Sequence, residues 1–216
     1  MSEVTTVGDM FVEERKLTWA DVLAIPAEHL PLIVLSNREA TPQDPAGSIL
    51  SALIKIFSGG SANHSMMMHR PFWFASQDVL FREVPAETYR FATRLKFIDC
   101  AEWTPAVRQL MKAEIQADLF PGWNLVRQWM RVYDFLGILG QALRKRWIQS
   151  PLNFYCSERV PRNVAWADPE ILRLKHPSPD EINTYTKDRQ WRPAMWGRPA
   201  TRRYYVYGRY TDPALE

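Results

Sequence analysis

Short hydrophobic runs and alternating patterns predict a group of β-strands in the middle of the chain. An apolar run over residues 31–37 ends in a polar turn and is typical of a buried strand. Residues 64–70, 72–77 and 79–85 predict three strands of an antiparallel meander. Residues 93–100 predict a fourth strand beside these three, which with residues 31–37 gives five in all.

Helices are predicted where a capping residue or proline precedes a hydrophobic pattern. In the first half of the chain, these signals predict a short helix that begins after Thr18 and ends at Pro26, and an amphipathic helix opened by Asp44-Pro45-Ala46 and stopped by Gly59-Gly60. In the second half, they predict a helix that begins at Thr104-Pro105 and a helical stretch over about 123–148. They also predict a helix start at 156–160 that Pro161 cuts short, and a helix that begins at Ser178-Pro179.

The order of the predicted elements is helix, strand, helix, strands and helices, which indicates an α+β fold with a small antiparallel sheet packed against helices. We divide the chain into an N-terminal helical extension over residues 1–29, a central domain over 30–165 and a C-terminal extension over 166–216, which is rich in aromatic residues and arginine.

Composition excludes several classes of protein. The 216 residues are 46% hydrophobic and 24% charged, the ordinary balance of a globular protein. No apolar run approaches the length of a transmembrane helix, and the acidic, mixed N-terminus has no apolar core that would indicate a signal peptide. The two cysteines and four histidines lack the spacing of a metal site, and no glycine-rich nucleotide motif is present. We therefore expect no cofactor and no metal.

The net charge of +3 is unevenly distributed. Residues 185–216 carry seven basic groups against three acidic ones, so this segment is +4 and the residues before it are −1. Its arginines alternate with Trp and Tyr, the residue types enriched at interface anchors, which predicts a packed or docking extension with a protein partner. Nucleic acid is the less favoured partner, because no lysine-rich run or nucleic-acid-binding module accompanies the segment.

Cys156 is the sharpest candidate for chemistry. It stands at the predicted start of a helix, where unpaired backbone N–H groups and the helix dipole favour the nucleophilic thiolate. A lone cysteine is more often an inert buried side chain, but a core cysteine usually has apolar neighbours, whereas Ser157 and Glu158 follow this one. Cys100 has no helix start behind it and is interpreted as structural.

A thiolate enzyme needs a general base, and His64 is the best candidate. It follows a glycine-rich turn and opens a predicted strand, although a histidine here can equally cap the turn. Alternation places Met66 and Met68 on the face of His64, and Ser65, Met67 and His69 on the opposite face.

These residues together resemble a known family. The chain is similar to the first half of the circularly permuted papain-like hydrolases, which are relatives of the NlpC-type amidases and of the YiiX and lecithin:retinol acyltransferase groups. The similarity lies in the order of a strand, a helix, Gly-Gly and then Asn63-His64-Ser65 at the start of a strand. The later segment NFYCSERV resembles the family's YCSEL motif, with Arg159 where an aliphatic residue is usual, and YDFLG at 133–137 resembles its Tyr-Asp element. The resemblance covers about residues 30–165.

The resemblance implies roles for particular residues. Cys156 would be the nucleophile and His64 the base, while Tyr133 and Asn63 would line the substrate site. The third member of the site would be a polar residue on the strand after that of His64, and Gln77 fits best because its side-chain oxygen can accept the imidazole N–H. The alternatives for this position are Ser76, Asp78 and Glu83.

The implied activity is that of a cysteine hydrolase or acyltransferase that acts on an amide or ester through a thioester. A peptidoglycan peptide or a lipid would be the substrate, and a cell-wall peptidase or amidase of a phage particle or lysis system is one form of this activity. We expect a cytoplasmic or virion-associated protein. The alternative is a catalytically inactive papain-fold structural or docking component, for example of a virion tail, anchored by its C-terminal arm.

Overall fold

The structure is a computed structural model that describes residues 3–7, 10–37, 62, 64–77, 80–90, 92, 94–100, 103–132, 156–174, 177–187 and 202–207. The predicted helix opened by Asp44-Pro45-Ala46 and most of the predicted helical stretch at 123–148 lie outside these residues. None of the helices in the described ranges has both the length and the apolar character needed to cross a membrane.

One mixed sheet of eight strands organises the described residues. Its order is β1-β2-β8-β7-β3-β4-β5-β6, and every neighbouring pair is antiparallel except β2 and β8, which are parallel. The strands are β1 (Glu3–Val7), β2 (Met10–Lys16), β3 (Leu32–Asn37), β4 (His64–Arg70), β5 (Trp73–Gln77), β6 (Phe81–Pro85), β7 (Arg94–Cys100) and β8 (Arg202–Tyr207).

Five α-helices accompany the sheet in the described ranges. They are α1 (Trp19–Leu23), α2 (Pro105–Leu119), α3 (Leu125–Met130), α4 (Cys156–Val164) and α5 (Pro179–Lys187). The predicted capping residues act as expected: the side chains of Thr18, Thr104 and Ser178 accept hydrogen bonds from backbone N–H groups in the first turns of α1, α2 and α5. The chain is therefore α+β, as its sequence predicts.

Strand alternation divides the core between the two faces of the sheet. Met67 belongs to a buried cluster that also contains residues of α2, α4 and α5, such as Val160. Met66 and Met68 belong to a second cluster on the opposite face, with residues of α1 and a 3₁₀ turn at Ala86–Tyr89. The predicted alternation of β4 is therefore confirmed, and α4, which begins at Cys156, packs on the Met67 face.

Two findings at the ends of the chain differ from the sequence interpretation. Residues 1–29 contain β1 and β2 as well as the predicted helix, and the C-terminal extension contributes β8 between β2 and β7. The side chain of Tyr207 is buried, and its hydroxyl donates to the carbonyl of Arg90 over 2.8 Å. Part of the predicted docking arm thus packs into the chain's own sheet, and a partner for the remainder stays a prediction.

The prediction that Pro161 cuts the helix at Cys156 short is wrong. The helix continues through Pro161 to Val164, although proline removes one hydrogen bond in a helix interior. Seven of its nine residues are buried, including Pro161 itself. Packing of the helix against the sheet therefore outweighs the local preference of the proline.

A buried ion pair fixes α4 to α2. The side chain of Arg159 is 2% exposed, and its guanidinium donates to Oδ2 of Asp118 over 2.8 Å and to Oε1 of Gln77 over 3.2 and 3.3 Å. Burial lowers the pKa of Arg159 to about 10, against the opposing effect of the Asp118 charge. The helix that begins at Cys156 is therefore tied to both α2 and β5 through one side chain.

Candidate active site

Cys156 is the first residue of α4 and lies against the first residues of β4. Its side chain is 1% exposed. The first N–H groups of any α-helix have no partner within the helix, and they surround a residue in this position with positive partial charge. The sequence prediction that Cys156 opens a helix is confirmed.

The surroundings of Cys156 favour the thiolate. Burial alone raises the pKa of the thiol, but the charge of the His64 ring and hydrogen bonds from His64 and from the backbone of Ser65 lower it by more. The pKa of Cys156 therefore lies below its ordinary value. This electrostatic coupling also means that the structure brings Cys156 and His64 together, although 91 positions separate them in the sequence.

The His64 ring also contacts a serine and a tyrosine. Nε2 of His64 lies 2.8 Å from Oγ of Ser76, and the same Oγ lies 3.1 Å from the hydroxyl of Tyr89. The rings of His64 and Tyr89 stack with an interplanar angle of 2° and a centroid distance of 6.2 Å. Ser76 is fully buried and Tyr89 nearly so, so this chain of hydrogen bonds holds the imidazole in a defined orientation.

Gln77, the preferred third residue, is engaged elsewhere. Its Nε2 donates to the carbonyl of Arg131 over 2.7 Å, and its Oε1 accepts from Arg159. The structure thus gives the position beside His64 to Ser76, one of the predicted alternatives. The physical reason is a β-bulge: Arg70 pairs with Trp73, but the register shifts so that Met66 pairs with Ser76. A regular hairpin would have set Met66 opposite Gln77, so one extra residue reverses the faces of β5.

The remaining predicted residues are either remote or not described. Asn63, Asp78 and Tyr133 lie outside the described residues. Glu83 is on β6, where Oε1 lies 3.0 Å from Nε2 of His69 and Oε2 accepts from Arg70 over 2.8 Å. Burial lowers the pKa of His69 to about 4, against the opposing effect of the Glu83 charge. This group belongs to a different part of the sheet from His64.

Two contacts of the site were not anticipated from the sequence. The sequence predicts only a strand face for Ser65, and it gives no signal for Tyr89. Tyr89 follows β6 in a 3₁₀ turn, and no local motif marks it, because its proximity to His64 depends on how this turn folds back over the sheet. Among the described residues, no group of His, Cys, Asp and Glu could hold a metal ion.

The contact between Ser76 and His64 leads to a first prediction. Replacing Ser76 by Ala removes a hydrogen bond to the ring that stabilises the thiolate, and we expect the pKa of Cys156 to rise. The pH dependence of Cys156 alkylation measures this shift. Gln77→Leu is the control and leaves the midpoint unchanged. A shift in Gln77→Leu with none in Ser76→Ala would restore Gln77 as the orienting residue.

Comparisons with known proteins give no identification. No family model matches the chain, no curated protein is similar to it, and no solved structure matches its fold.

Proposed function

We propose that the protein is a cysteine hydrolase or acyltransferase with a permuted papain-like arrangement of its site. The observation that carries the proposal is the pairing of Cys156, at the start of α4, with His64, at the start of β4, which lowers the pKa of the thiol. An activated nucleophile needs a base within hydrogen-bonding reach and a third group that orients the base. In this proposal the nucleophile is Cys156, the base is His64, and the group that orients the base is Ser76.

The proposed reaction has two steps. The Cys156 thiolate attacks the carbonyl carbon of an amide or ester and forms a carbon–sulfur bond, while the backbone N–H at the start of α4 stabilises the oxyanion. Protonated His64 gives its proton to the departing amine or alcohol, which leaves a thioester. Water, or another acceptor, then attacks the thioester and gives up its proton to His64, and the acid or transferred acyl product leaves with regeneration of the thiolate.

The two nitrogens of His64 have separate tasks in this scheme. Nε2 is engaged with Ser76 at 2.8 Å, so Nδ1 is assigned to proton exchange with the sulfur and the leaving group. Ser76 supports the imidazolium by accepting the Nε2–H, and the Tyr89 hydroxyl supports Ser76 in turn. A hydroxyl stabilises the imidazolium less than a carboxylate does, so the pair of Cys156 thiolate and His64 imidazolium depends more on the orientation of the ring.

A cell-wall peptidase or amidase of a phage particle is one form of this proposed activity.

The burial of the thiol supports a second candidate function. Cys156 is 1% exposed, as expected for a cysteine that only fills the core. In that case the protein is an inactive papain-like structural or docking component. The insertion of β8 into the sheet does not distinguish the two functions, because it concerns how the C-terminal arm packs and not whether Cys156 reacts.

Acylation by p-nitrophenyl acetate separates the two functions. We expect release of p-nitrophenolate together with one acetyl group on the peptide that contains Cys156, bound as a thioester that hydroxylamine removes. Mass spectrometry of the digested protein locates the group. Cys156→Ser loses the thioester adduct, whereas Cys100→Ser retains it. A folded protein that shows neither release above background nor an adduct on Cys156 would leave the structural component as the function.

A further inference from the structure

Ser65 presents a buried hydroxyl on the side of the sheet that α4 covers. It is the second residue of β4, and its partner on the neighbouring strand β3 is Leu35. Leu35 and Met67, which share the face of Ser65, both belong to the buried cluster that contains Val160 of α4. Ser65 therefore reaches Cys156, the first residue of α4, from the floor formed by the sheet.

The Ser65 hydroxyl lies beside the thiol but is not committed to a partner. Its side chain is near enough to Cys156 to lower the pKa of the thiol. The residue is 1% exposed, and Oγ is a buried atom without a well-aligned hydrogen-bond partner among the described residues. Buried hydroxyls in folded proteins are almost always hydrogen-bonded, so an exception next to a nucleophile indicates a group that finds its partner at another stage of the reaction.

The proposed acylation creates a new hydrogen-bond acceptor at this place. When the sulfur of Cys156 bonds to the carbonyl carbon, the π electrons of the C=O bond move to the oxygen, which becomes an oxyanion. This oxygen is bonded to the carbon that the sulfur attacks, so a donor that adjoins the sulfur is within its reach. The first N–H groups of α4 provide donors from the helix, and the Ser65 hydroxyl can provide one from β4.

We propose that the Ser65 hydroxyl is a catalytic donor of the oxyanion hole, which hydrogen-bonds to the substrate oxygen while that oxygen is negative. The inference rests on the proposed function, because it adds a residue to the reaction of the same thiol. Rotation about the Cβ–Oγ bond turns the hydroxyl proton from the sulfur to the oxygen as the carbon–sulfur bond forms and the negative charge moves. The hydrogen bond weakens again when the C=O bond re-forms and the amine or alcohol leaves with the proton of His64.

Two reactions of Cys156 separate an oxyanion donor from a group that only affects the thiol. Iodoacetamide alkylates the thiolate by displacing iodide from a saturated carbon, so no oxyanion forms, whereas acylation by p-nitrophenyl acetate passes through one. Both rates are proportional to the thiolate fraction, which cancels in the ratio of the acylation to the alkylation rate constant at one pH. We expect Ser65→Ala to lower this ratio by about 100-fold, the effect of losing one oxyanion donor. Mass spectrometry of the peptide that contains Cys156 gives both rate constants.

Two further serine variants are the matched controls. Ser65→Thr keeps the hydroxyl on a side chain that suits a β-strand, and it retains the ratio. Ser36→Ala removes another fully buried hydroxyl that lacks a hydrogen-bond partner among the described residues. Ser36 pairs with His64, one position along from the pair of Leu35 and Ser65, so it faces the opposite side of the sheet, and its replacement leaves the ratio unchanged.

Urea unfolding excludes a purely structural role for Ser65. Because no well-aligned hydrogen bond is lost, we expect Ser65→Ala to unfold at a midpoint no lower than that of the native protein. An unchanged ratio in Ser65→Ala, with or without a lower midpoint, would overturn the oxyanion donor alone, and so would an equal fall of the ratio in Ser36→Ala. If the native protein forms no thioester on Cys156, the proposed function fails and the role of Ser65 fails with it.

Discussion

Replacing His64 by Ala lowers the rate of Cys156 alkylation at pH 7 by about 100-fold. The structure places the thiol in a buried position that by itself raises its pKa, and the charge and hydrogen bond of His64 reverse this effect. Without the imidazole, burial dominates and the thiol stays protonated at neutral pH. The rate of labelling with iodoacetamide, followed on the peptide that contains Cys156, measures the change.

Two further variants separate the charge of His64 from its volume. His64→Gln keeps a polar side chain of similar size but carries no positive charge, and we expect it to react as slowly as His64→Ala. His29→Ala is the matched control, since His29 is also a partly exposed histidine but lies beside Asp99, with 3.2 Å between Nδ1 and Oδ2. Native reactivity in His64→Gln would show that the imidazolium does not activate the thiol.

Replacing Asp118 by Asn destabilises the protein by roughly 3–5 kcal/mol. Asp118 is 1% exposed and pairs with Arg159, which is 2% exposed, so the substitution leaves a guanidinium buried without its nearest carboxylate. Arg127 loses its 2.6 Å contact with the same carboxylate, although it keeps Glu114. Urea unfolding measures the loss as a lower midpoint at an unchanged slope.

The neighbouring Glu114 supplies the matched control for this prediction. It lies one turn earlier on α2 and pairs with Arg127 and Arg162, whose side chains are 25% and 31% exposed. Glu114→Gln therefore costs less than about 1 kcal/mol, as expected for a solvated ion pair. The double variant Arg159→Met, Asp118→Leu is more stable than Asp118→Asn, because it removes both buried charges. Equal losses in Asp118→Asn and Glu114→Gln would contradict the buried pair.

The sequence predicts the parts of the fold that follow from local pattern. Strands β3 to β7 and the starts of α1, α2 and α5 agree with their alternation, apolar runs and capping residues. The sequence does not predict strand β8, because Arg202–Tyr207 shows no clear alternation of polar and apolar residues. Pairing with β2 and β7 on its two sides stabilises this strand. Such pairing between distant segments cannot be inferred from propensity.

The candidate site also has residues that the sequence predicts and residues that it does not. The helix start at Cys156 and the glycine-rich turn before His64 are each a weak signal, and it is their order, which resembles that of the permuted papain-like hydrolases, that selects both residues. Ser76 was only an alternative to Gln77, and the bulge between Met68 and Arg70 decides which of the two faces the imidazole. A shift by one residue is a property of the pairing of two strands, so it leaves no mark in either strand alone.

The central claim is that His64 activates Cys156 as a nucleophile, and the pH dependence of Cys156 alkylation in the native protein tests it most directly. The rate of iodoacetamide labelling follows the thiolate fraction, so its midpoint gives the pKa of the thiol. The contacts of the thiol with His64 and Ser65 predict a midpoint below the ordinary value of a cysteine. A midpoint at or above the ordinary value would contradict the claim, because burial alone would then determine the state of the thiol.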